Sequence, residues 1–361
     1  MRRREFLQTV TASAAVSMLQ TGTAGAQTMK PKFKRGVTCY SYQEEYYTHA
    51  MTLEDCIAEI SSMGAEGVEI IAEEMVPNYP DPPEAWVQNW HALMEKYHTK
   101  PACLDTFVDV YWGGRRDMTV QESVDTLAAQ LKLANRMGFK VMRPTTGPVR
   151  DSAPDMIEKA LPIAEKYDVR ICPEIHAPIP TQGKFIDSYM GIITKTKTKH
   201  LGFNPDMGIF CKRLPRVVLA RHVRDGASEK VIQYLDQAFQ DGVSAEARVA
   251  EVAKMSSAEA DVRAAAMTGG YGPITNKPKE LLAIMPYCYN VHGKFYEMTD
   301  ELKEYSIPYD EVMPVFIEGG YSWYINSEYE GQRSTQDAKE TDSCEEIRRH
   351  HVMMKRLMGE V

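Results

Sequence analysis

Apolar residues fall into eight short runs that alternate with longer segments in which apolar positions recur at helical spacing. The spacing i, i+3, i+4 is clearest over 119–137 and 152–166, and Thr52-Leu53-Glu54-Asp55 resembles a capping box that opens an earlier helix. The runs are rich in Val, Ile, Tyr and Phe and are typical of buried parallel strands. They lie near 35–42, 66–72, 101–107, 139–145, 168–175, 200–207, 285–294 and 322–329. Regular alternation of strand and helix predicts a parallel sheet closed into a barrel.

The spacing of the runs supports the barrel, because eight strand-helix units in about 250 residues repeat every ~31 residues. One step is longer: Asp206 and His292, on successive runs, are 86 positions apart. That step holds one unit and an insertion at about 214–280 with two helical patterns. The predicted fold class is α/β, a (β/α)8 TIM barrel with a helical insertion between strands 6 and 7. We expect the insertion to overhang the mouth of the barrel as a lid or a subunit contact.

The first 26 residues are expected to be a signal peptide and not part of the fold. Arg3-Arg4 begins a twin-arginine motif, an apolar stretch follows from Val10 to Leu19, and Ala24-Gly25-Ala26 offers a cleavage site. The stretch is too short to span a bilayer permanently. This predicts export to the periplasm by the twin-arginine pathway, no membrane span in the mature chain, and a barrel over 27–361. The full chain has 361 residues, 43% of them hydrophobic, which suits one large barrel better than two domains.

The acidic balance of the chain limits its partners. The net charge is −8, and removal of three arginines and one glutamate with residues 1–26 makes it −10. Such a surface argues against nucleic acid and anionic membranes as partners, and makes a highly phosphorylated substrate less attractive. The seven cysteines are odd in number and contain no CxxC pair, so neither a disulfide framework nor a thiolate zinc site is indicated.

Four polar residues each lie near the end of an apolar run: Glu174, Asp206, His292 and Glu328. An unpaired charge at the end of a buried strand is costly to desolvate, whereas one divalent ion would compensate several carboxylates at once. The four residues therefore predict a metal site.

Further candidates follow from the alternation of side chains along a strand. His176 is two residues after Glu174 and Lys294 two after His292, so each pair points to the same side of its strand. His176 is a candidate for binding a substrate hydroxyl or for proton transfer, and Lys294 for holding an oxyanion.

Other charged residues are expected to play lesser parts. Arg143, Glu69 and Asp105 lie where barrel strands meet the active face, with Arg143 a candidate for substrate binding, although paired charges inside a barrel are the stronger expectation for all three. Glu330 and Arg333 are interpreted as a solvated or interface pair. His350 and His351, on the last helix, are expected at the surface.

The segments PEIH, NPDMG, NVHGKF and GGYSWYINSEYEG resemble the metal-binding strands of the xylose isomerase-like barrels, which include sugar phosphate isomerases and epimerases. The resemblance covers about 33–358 apart from the insertion. It implies that Glu174, Asp206, His292 and Glu328 hold one divalent ion, with Glu174 and Glu328 also the acid/base pair. Oxygen and nitrogen ligands favour Mn first, with Mg, Co or Zn as alternatives.

The implied activity is that of a divalent-metal-dependent isomerase or epimerase acting on a ketose or keto-sugar through a metal-stabilised enediolate. Related epimerases place a histidine just after the metal-binding aspartate, whereas here Met207-Gly208-Ile209-Phe210 follows Asp206. An alternative is therefore a lyase that eliminates a group from a 3-keto sugar or glycoside, as in the catalytic subunits of C-glycoside deglycosidases. A non-catalytic periplasmic sugar-binding protein is a weaker alternative. Association as a homo-oligomer or with a partner subunit is compatible with each.

Overall fold

The computed structural model describes residues 30–108, 118–147, 151–272 and 275–360. The predicted signal peptide at 1–26 lies outside the described residues. Within these ranges, no helix is both long and apolar enough to cross a membrane.

The wall of the barrel is built from short parallel strands. In the described ranges they are Lys34–Thr38 (β1), Gly67–Ile71 (β2), Lys100–Phe107 (β3), Val141–Thr145 (β4), Arg170–Ile171 (β5), Glu174–Ile175 (β6), Asn204–Pro205 (β7), Val291–Phe295 (β8) and Tyr324–Tyr329 (β9). Seven of them form one sheet in the order β5-β4-β3-β2-β1-β9-β8, and β6 pairs with β7. Parallel bridges from Ile171 to Leu201, Phe203 to Cys288 and Asp206 to His292 join the two sheets. The predicted parallel barrel is confirmed.

Several strands are shorter than the apolar runs predicted. The run at 168–175 is divided into β5 and β6 by Cys172 and Pro173, because a proline has no backbone N–H to give to the sheet. The first run turns after Thr38 into a 3-10 helix, Cys39–Tyr42, and the run at 285–294 begins with another, Met285–Tyr287.

Helices cover the outside of the barrel. Those of the described ranges are Gln43–Tyr47 (α1), Leu53–Ser62 (α2), Ala72–Met75 (α3), Glu84–Lys96 (α4), Val120–Arg136 (α5), Ala153–Tyr167 (α6), Lys184–Thr196 (α7), Arg216–Arg224 (α8), Glu229–Gln240 (α9), Ala245–Met255 (α10), Glu259–Thr268 (α11), Tyr309–Glu318 (α12) and Ser343–Met358 (α13). The predicted capping box of Thr52 and Asp55 is present at the start of α2. The helical spacing over 119–137 and 152–166 matches α5 and α6.

Strand residues are buried on both faces, because side chains fill the barrel on one side and helices cover the other. All five residues of β2 and all five of β8 are buried. The core outside the wall includes Trp90 of α4, whose ring stacks on Phe139 with centroids 5.6 Å apart. A charged residue on these strands is therefore held in a site from which water is largely excluded.

The four helices α8 to α11 lie between β7 and β8, where the insertion was predicted. Arg224 at the end of α8 bonds Asp337 at 2.7 Å and the carbonyl of Ser334 at 2.6 Å, in the segment that follows β9. After α11, Asn276 donates to the carbonyl of Ile209 at 3.2 Å. Both flanks of the insertion thus contact loops at the carboxyl ends of the strands.

The last helix corrects one expectation from the sequence. His350 and His351 were predicted at the surface, but they are 0% and 1% exposed. Both rings bond the Ser327 hydroxyl of β9, at 2.9 Å and 3.0 Å. Adjacent helical residues diverge by only about 100°, so a helix with a broad buried face encloses both.

Candidate metal centre

Glu174, Asp206, His292 and Glu328 come together at one end of the barrel. Each offers a ligand atom, and these atoms all lie within 4.8 Å of one another. Glu174 is in β6, Asp206 directly follows β7, His292 is in β8 and Glu328 is in β9. The carboxyl ends of parallel strands meet at one end of a barrel, which is why residues spread over 155 positions of sequence share a site.

His292 lies at the centre of this group and is 0% exposed. Its Nδ1 atom is 2.6 Å from Glu174 Oε1 and 3.2 Å from Glu328 Oε2. Its other ring nitrogen, Nε2, is 2.8 Å from Glu69 Oε1 on the opposite side. The imidazole therefore presents one nitrogen to the four-residue group and the other to the barrel interior.

Two buried carboxylate oxygens of the group, Asp206 Oδ2 and Glu328 Oε2, accept no hydrogen bond from any described residue. The Lys294 ammonium lies 3.0 Å and 3.3 Å from them without the geometry of a hydrogen bond. The other Asp206 oxygen, Oδ1, accepts from the Gly208 N–H at 2.6 Å, which fixes the side chain at the start of a short 3-10 helix. Buried oxygens without a donor are costly. Their presence fits a set of side chains built to share a cation.

The balance of charge around the group points the same way. Among the described residues, direct ion-pair contacts link six carboxylates with two permanent cations, Arg143 and Lys294, so full ionisation would leave −4 before the histidines are counted. Burial and the charge of Glu69 raise the pKa of Asp105 well above its usual range, which reduces this excess. The carboxylates are those of Glu69, Asp105, Glu174, Asp206, Glu328 and Glu330. A divalent ion would reduce this excess, and oxygen and nitrogen donors suit Mn, Mg, Co or Zn.

Opposing effects act on the protonation of the two glutamates. Burial raises the pKa of Glu174, but the charges of Arg143 and His292 outweigh it and hold that pKa well below its usual range. Burial raises the pKa of Glu328 above its usual range, and Lys294 and His292 only partly offset this. For His292, burial lowers the pKa, but Glu328 and Glu69 more than reverse the effect.

The three predicted substrate-binding residues also face this site. Arg143 forms two contacts of 3.0 Å with Asp105 and lies 3.7 Å from Glu174. The Lys294 side chain is 3% exposed, and its ammonium is 3.0 Å from Asp206 Oδ2. His176 is 48% exposed, with Nε2 3.9 Å from the same Asp206 oxygen. The two cations are thus held inside, while His176 lies at the rim.

A cavity of about 340 Å³ opens over the group, within the size range of small-molecule sites. Its polar wall includes Arg143, Glu174, His176, Lys294 and Glu328. Its apolar wall is formed by Tyr40, Ile71, Phe107, Ile179 and Phe185. Among the described residues, none of α8 to α11 lines the cavity, and the insertion contacts the loops around the mouth through Arg224 and Asn276.

Glu330 and Arg333 do not form the predicted pair in the structure. The direct ion-pair partner of Glu330 is Lys294, whose ammonium is 2.6 Å from Glu330 Oε2 in the cavity wall. The Arg333 guanidinium lies over the Tyr40 ring, 5.1 Å from its centroid. The alternation that selected His176 and Lys294 would have found Glu330, since it is two residues after Glu328.

Comparisons with known proteins agree with this architecture. A sequence profile of the xylose isomerase-like TIM barrels matches residues 57–211. A sugar phosphate isomerase/epimerase from Parabacteroides distasonis superposes with a TM-score of 0.53 at 10% identity, covering 93% of this chain and 98% of that chain. The fold is that of a xylose isomerase-like TIM barrel.

Curated relatives align with nearly the whole barrel. A C-glycoside deglycosidase alpha subunit from Arthrobacter globiformis is 28% identical over 336 residues, which covers 90% of this chain and 92% of the relative. A 3'-dehydrocarminate deglycosidase alpha subunit from a Microbacterium species is 28% identical over 343 residues, covering 90% and 95%. The xylose isomerase-like barrel described here therefore spans the length of these relatives.

Proposed function

We propose that this chain is a metal-dependent enzyme in which Glu174, Asp206, His292 and Glu328 hold one divalent ion. The convergence of the four side chains within 4.8 Å carries this proposal. The buried oxygens of Asp206 and Glu328 that accept no hydrogen bond from the described residues, and the excess of negative charge, support it. Manganese is the first choice, with magnesium, cobalt or zinc as alternatives.

We infer that the substrate is a keto-sugar glycoside and that the reaction is an elimination. Relatives aligned over 90% of the chain are named as a C-glycoside deglycosidase alpha subunit and a 3'-dehydrocarminate deglycosidase alpha subunit. These names favour elimination over isomerisation, which the sequence alone favoured. A bound divalent ion would supply Lewis-acid stabilisation of the charge that develops on the carbonyl oxygen. The side chains of the cavity would carry the proton transfers.

In this scheme Glu174 accepts the proton from the carbon beside the carbonyl, and the electrons of that C–H bond form a carbon–carbon double bond. The bond from the next carbon to the leaving group breaks, and the leaving group takes a proton from Glu328. Both glutamates line the cavity, so each is placed to exchange a proton with a bound sugar. The reaction needs no oxidant or reductant.

Arg143, Lys294 and His176 are proposed to orient the sugar. Lys294 is buried and close to Asp206 and Glu328, so its ammonium is placed to bind an oxygen that gains negative charge. His176 at the rim is placed for a hydroxyl or for the leaving group. The aromatic side chains of Tyr40, Phe107 and Phe185 offer an apolar surface for a planar aglycone.

A second candidate is isomerisation or epimerisation of a ketose or keto-sugar. One observation favours it: Glu174 and Glu328 both approach His292 Nδ1, at 2.6 Å and 3.2 Å, and both line the cavity. Two carboxylates that reach one bound sugar can remove a proton and return it on another side.

One incubation in heavy water distinguishes the candidates. Purified, Mn-loaded protein is treated with a 3-keto glycoside and a ketose, and the products are followed by mass spectrometry and NMR. Release of the aglycone supports elimination, and deuterium in an otherwise intact sugar supports isomerisation. If the protein binds the sugars but neither releases an aglycone nor incorporates deuterium, the enzyme proposal is contradicted and a sugar-binding protein is favoured.

Partner and location are proposed as well. The two relatives are named as alpha subunits, so a partner subunit or a homo-oligomer is proposed, and sedimentation of the purified protein tests the second. Export by the twin-arginine pathway is tested by cell fractionation, in which the double change Arg3→Lys and Arg4→Lys should keep the chain in the cytoplasm. Equal periplasmic amounts of both forms would contradict this route.

A further inference from the structure

Glu69 is a fully buried carboxylate on the side of His292 that faces away from the four-residue group. It comes from β2, is 0% exposed, and its Oε1 atom lies 2.8 Å from His292 Nε2. Because Nδ1 faces Glu174 and Glu328, the imidazole can offer a lone pair to an ion there only if the proton is on Nε2. That Nε2–H then donates to Glu69.

The second oxygen of Glu69 is fixed by two amides. Asn290 Nδ2 donates to Oε2 at 2.8 Å and Asn326 Nδ2 donates to the same atom at 2.6 Å. Asn326 Nδ2 also donates to Asn290 Oδ1 at 2.9 Å. In these orientations of Asn290 and Asn326, two N–H donors meet one oxygen of Glu69 and a third donor meets the other, so residue 69 accepts at both atoms, as a carboxylate does.

A different interpretation is that Glu69, Asp105 and His292 form a second ion site, since their ligand atoms also lie within 4.8 Å of one another. The donors already present argue against it. The guanidinium of Arg143 contacts both oxygens of Asp105 at 3.0 Å, and the two asparagines occupy Glu69 Oε2. A cation there would lie beside Arg143 and displace neutral donors that already satisfy the carboxylates.

We propose that Glu69, held by Asn290 and Asn326, is the positioning residue that fixes His292 with its Nε2–H toward Glu69 and its Nδ1 lone pair toward the ion site. A partner of this kind orients a ligand and increases its basicity. The inference rests on the proposed metal site and deepens it. Among the described residues, the amides of Asn290 and Asn326 bond Glu69 and each other and make no hydrogen bond to the four-residue group.

The atoms of the network allow a direct test by exchange of isosteric groups. In Glu69→Gln, the negative charge beside His292 is lost, and the amide NH2 finds acceptors only if the amides of Asn290 and Asn326 both turn over. In Glu69→Gln combined with Asn326→Asp, the carboxylate moves from position 69 to position 326. If the Asn290 amide turns over, the Gln NH2 group at position 69 donates to the Asn290 carbonyl oxygen and to the Asp carboxylate at position 326. The Asn290 NH2 group donates to the same carboxylate. His292 Nε2–H then donates to the amide oxygen at position 69. All heavy atoms keep their places.

The measurement is the dissociation constant of Mn²⁺ for each apo protein by titration calorimetry, with thermal unfolding of the same samples. Glu69→Gln should weaken Mn²⁺ binding by about 10–100-fold, and the double variant should return to within about threefold of the wild type. Equal affinity of Glu69→Gln and wild type would overturn the inference. If the double variant also binds Mn²⁺ more weakly than the wild type, the hydrogen-bond directions that support the inference are wrong.

Two further variants separate positioning from a structural role. Glu304→Gln changes another buried carboxylate, which accepts the backbone N–H groups of Tyr296 at 3.1 Å and Ser306 at 2.6 Å; it should lower the unfolding temperature and leave Mn²⁺ affinity unchanged. Asn290→Ala removes one donor to Glu69 and should weaken Mn²⁺ binding about fivefold even where Glu69→Gln does not fold, and unchanged affinity in it would count against the proposal. Absence of Mn²⁺ binding by the wild type would instead reject the metal site itself.

Discussion

Lys294 and Glu328 are direct partners in the register of β8 and β9, and the Lys294 ammonium lies 3.3 Å from Glu328 Oε2. The same ammonium contacts Asp206 and Glu330 at 3.0 Å and 2.6 Å. Burial lowers the pKa of Lys294, but Asp206 and Glu328 raise it well above its usual range, so the group stays charged. In the proposed reaction, a fixed, buried cation beside the ion site is suited to stabilise an oxyanion.

Replacement of Lys294 by Met should therefore lower turnover of the 3-keto glycoside by about 100-fold or more, the usual loss when one oxyanion donor is removed. Steady-state kinetics at saturating Mn²⁺ measure this. Lys212→Met, at an exposed lysine paired with Glu311, is the matched control and should retain wild-type turnover. A Lys294→Met enzyme with unchanged kcat and KM would show that this ammonium has no part in the reaction.

Glu174→Gln and Glu328→Gln test the acid and base roles. Each change removes the proton-transfer group but keeps the shape of the side chain, so we expect kcat to fall by about 100-fold or more in each. Circular dichroism should show the same fold. Glu229→Gln, in the first turn of α9 and exposed, should leave kcat unchanged. Near-wild-type turnover in either site variant would remove that residue from the acid/base pair.

The buried histidine pair predicts a pH dependence of stability. Burial lowers the pKa of His350 from 6.5 to about 3, and its ring stacks on Phe295 with centroids 4.1 Å apart. Burial and the charge of Arg35 lower the pKa of His351 well below its usual range. Below about pH 6.5 both histidines take up a proton in the unfolded chain but not in the folded chain. The stabilisation that comes from the neutral histidines is therefore complete above that pH and is lost as the pH falls.

Between pH 7.5 and pH 5.0 His350 should cost about 2 kcal/mol of unfolding free energy, measured by urea denaturation, and His351 should add to this loss. His350→Phe removes one of them, so its stability should fall with pH by about 2 kcal/mol less than that of the wild type. His49→Asn, at an exposed position, is the control and should follow the wild type. Parallel pH curves for His350→Phe and wild type would contradict the assignment.

The close approach of β1 to Asn326 predicts a position where only glycine fits. A Cβ atom on Gly36 would lie 1.9 Å from Asn326 Oδ1 and 2.9 Å from the carbonyl oxygen of Gly67. Gly36→Ala should therefore destabilise the fold by about 1–3 kcal/mol and, because Asn326 bonds Glu69, weaken Mn²⁺ binding.

Gly191 in α7 is the matched control, because a Cβ there would meet nothing within 4 Å. Gly191→Ala should raise the unfolding free energy by up to about 1 kcal/mol, since alanine has the higher helix propensity. Urea denaturation compares the two variants. A Gly36→Ala protein as stable as the wild type would mean that the contact with Asn326 is not as close as described.

The barrel and the four clustered residues were accessible from the sequence for one physical reason. Parallel strands buried on both faces appear as apolar runs, and their carboxyl ends meet at one end of the barrel. Glu174, Asp206, His292 and Glu328 therefore needed only their place at the ends of runs to be grouped. Their positions along the sequence did not predict the distances between the four side chains or their hydrogen-bond and ion-pair partners.

The contact of Glu69 with His292 was not predictable from local pattern. The two residues are 223 positions apart, and the register between β2 and β3 shifts at Val68 and Glu69, which alters where the carboxylate points. His350 and His351 were misplaced for a related reason, because their burial depends on how α13 packs on β9. Pairing across the barrel is a tertiary property that no periodicity encodes.

One divalent ion is proposed to bind among Glu174, Asp206, His292 and Glu328. The most direct measurement is a crystal structure of Mn-loaded protein with anomalous scattering recorded near the manganese edge, alongside elemental analysis. We expect about one Mn per chain and a single anomalous peak among these four side chains. Protein that binds no Mn, or a peak only among Glu69, Asp105 and His292, would contradict it.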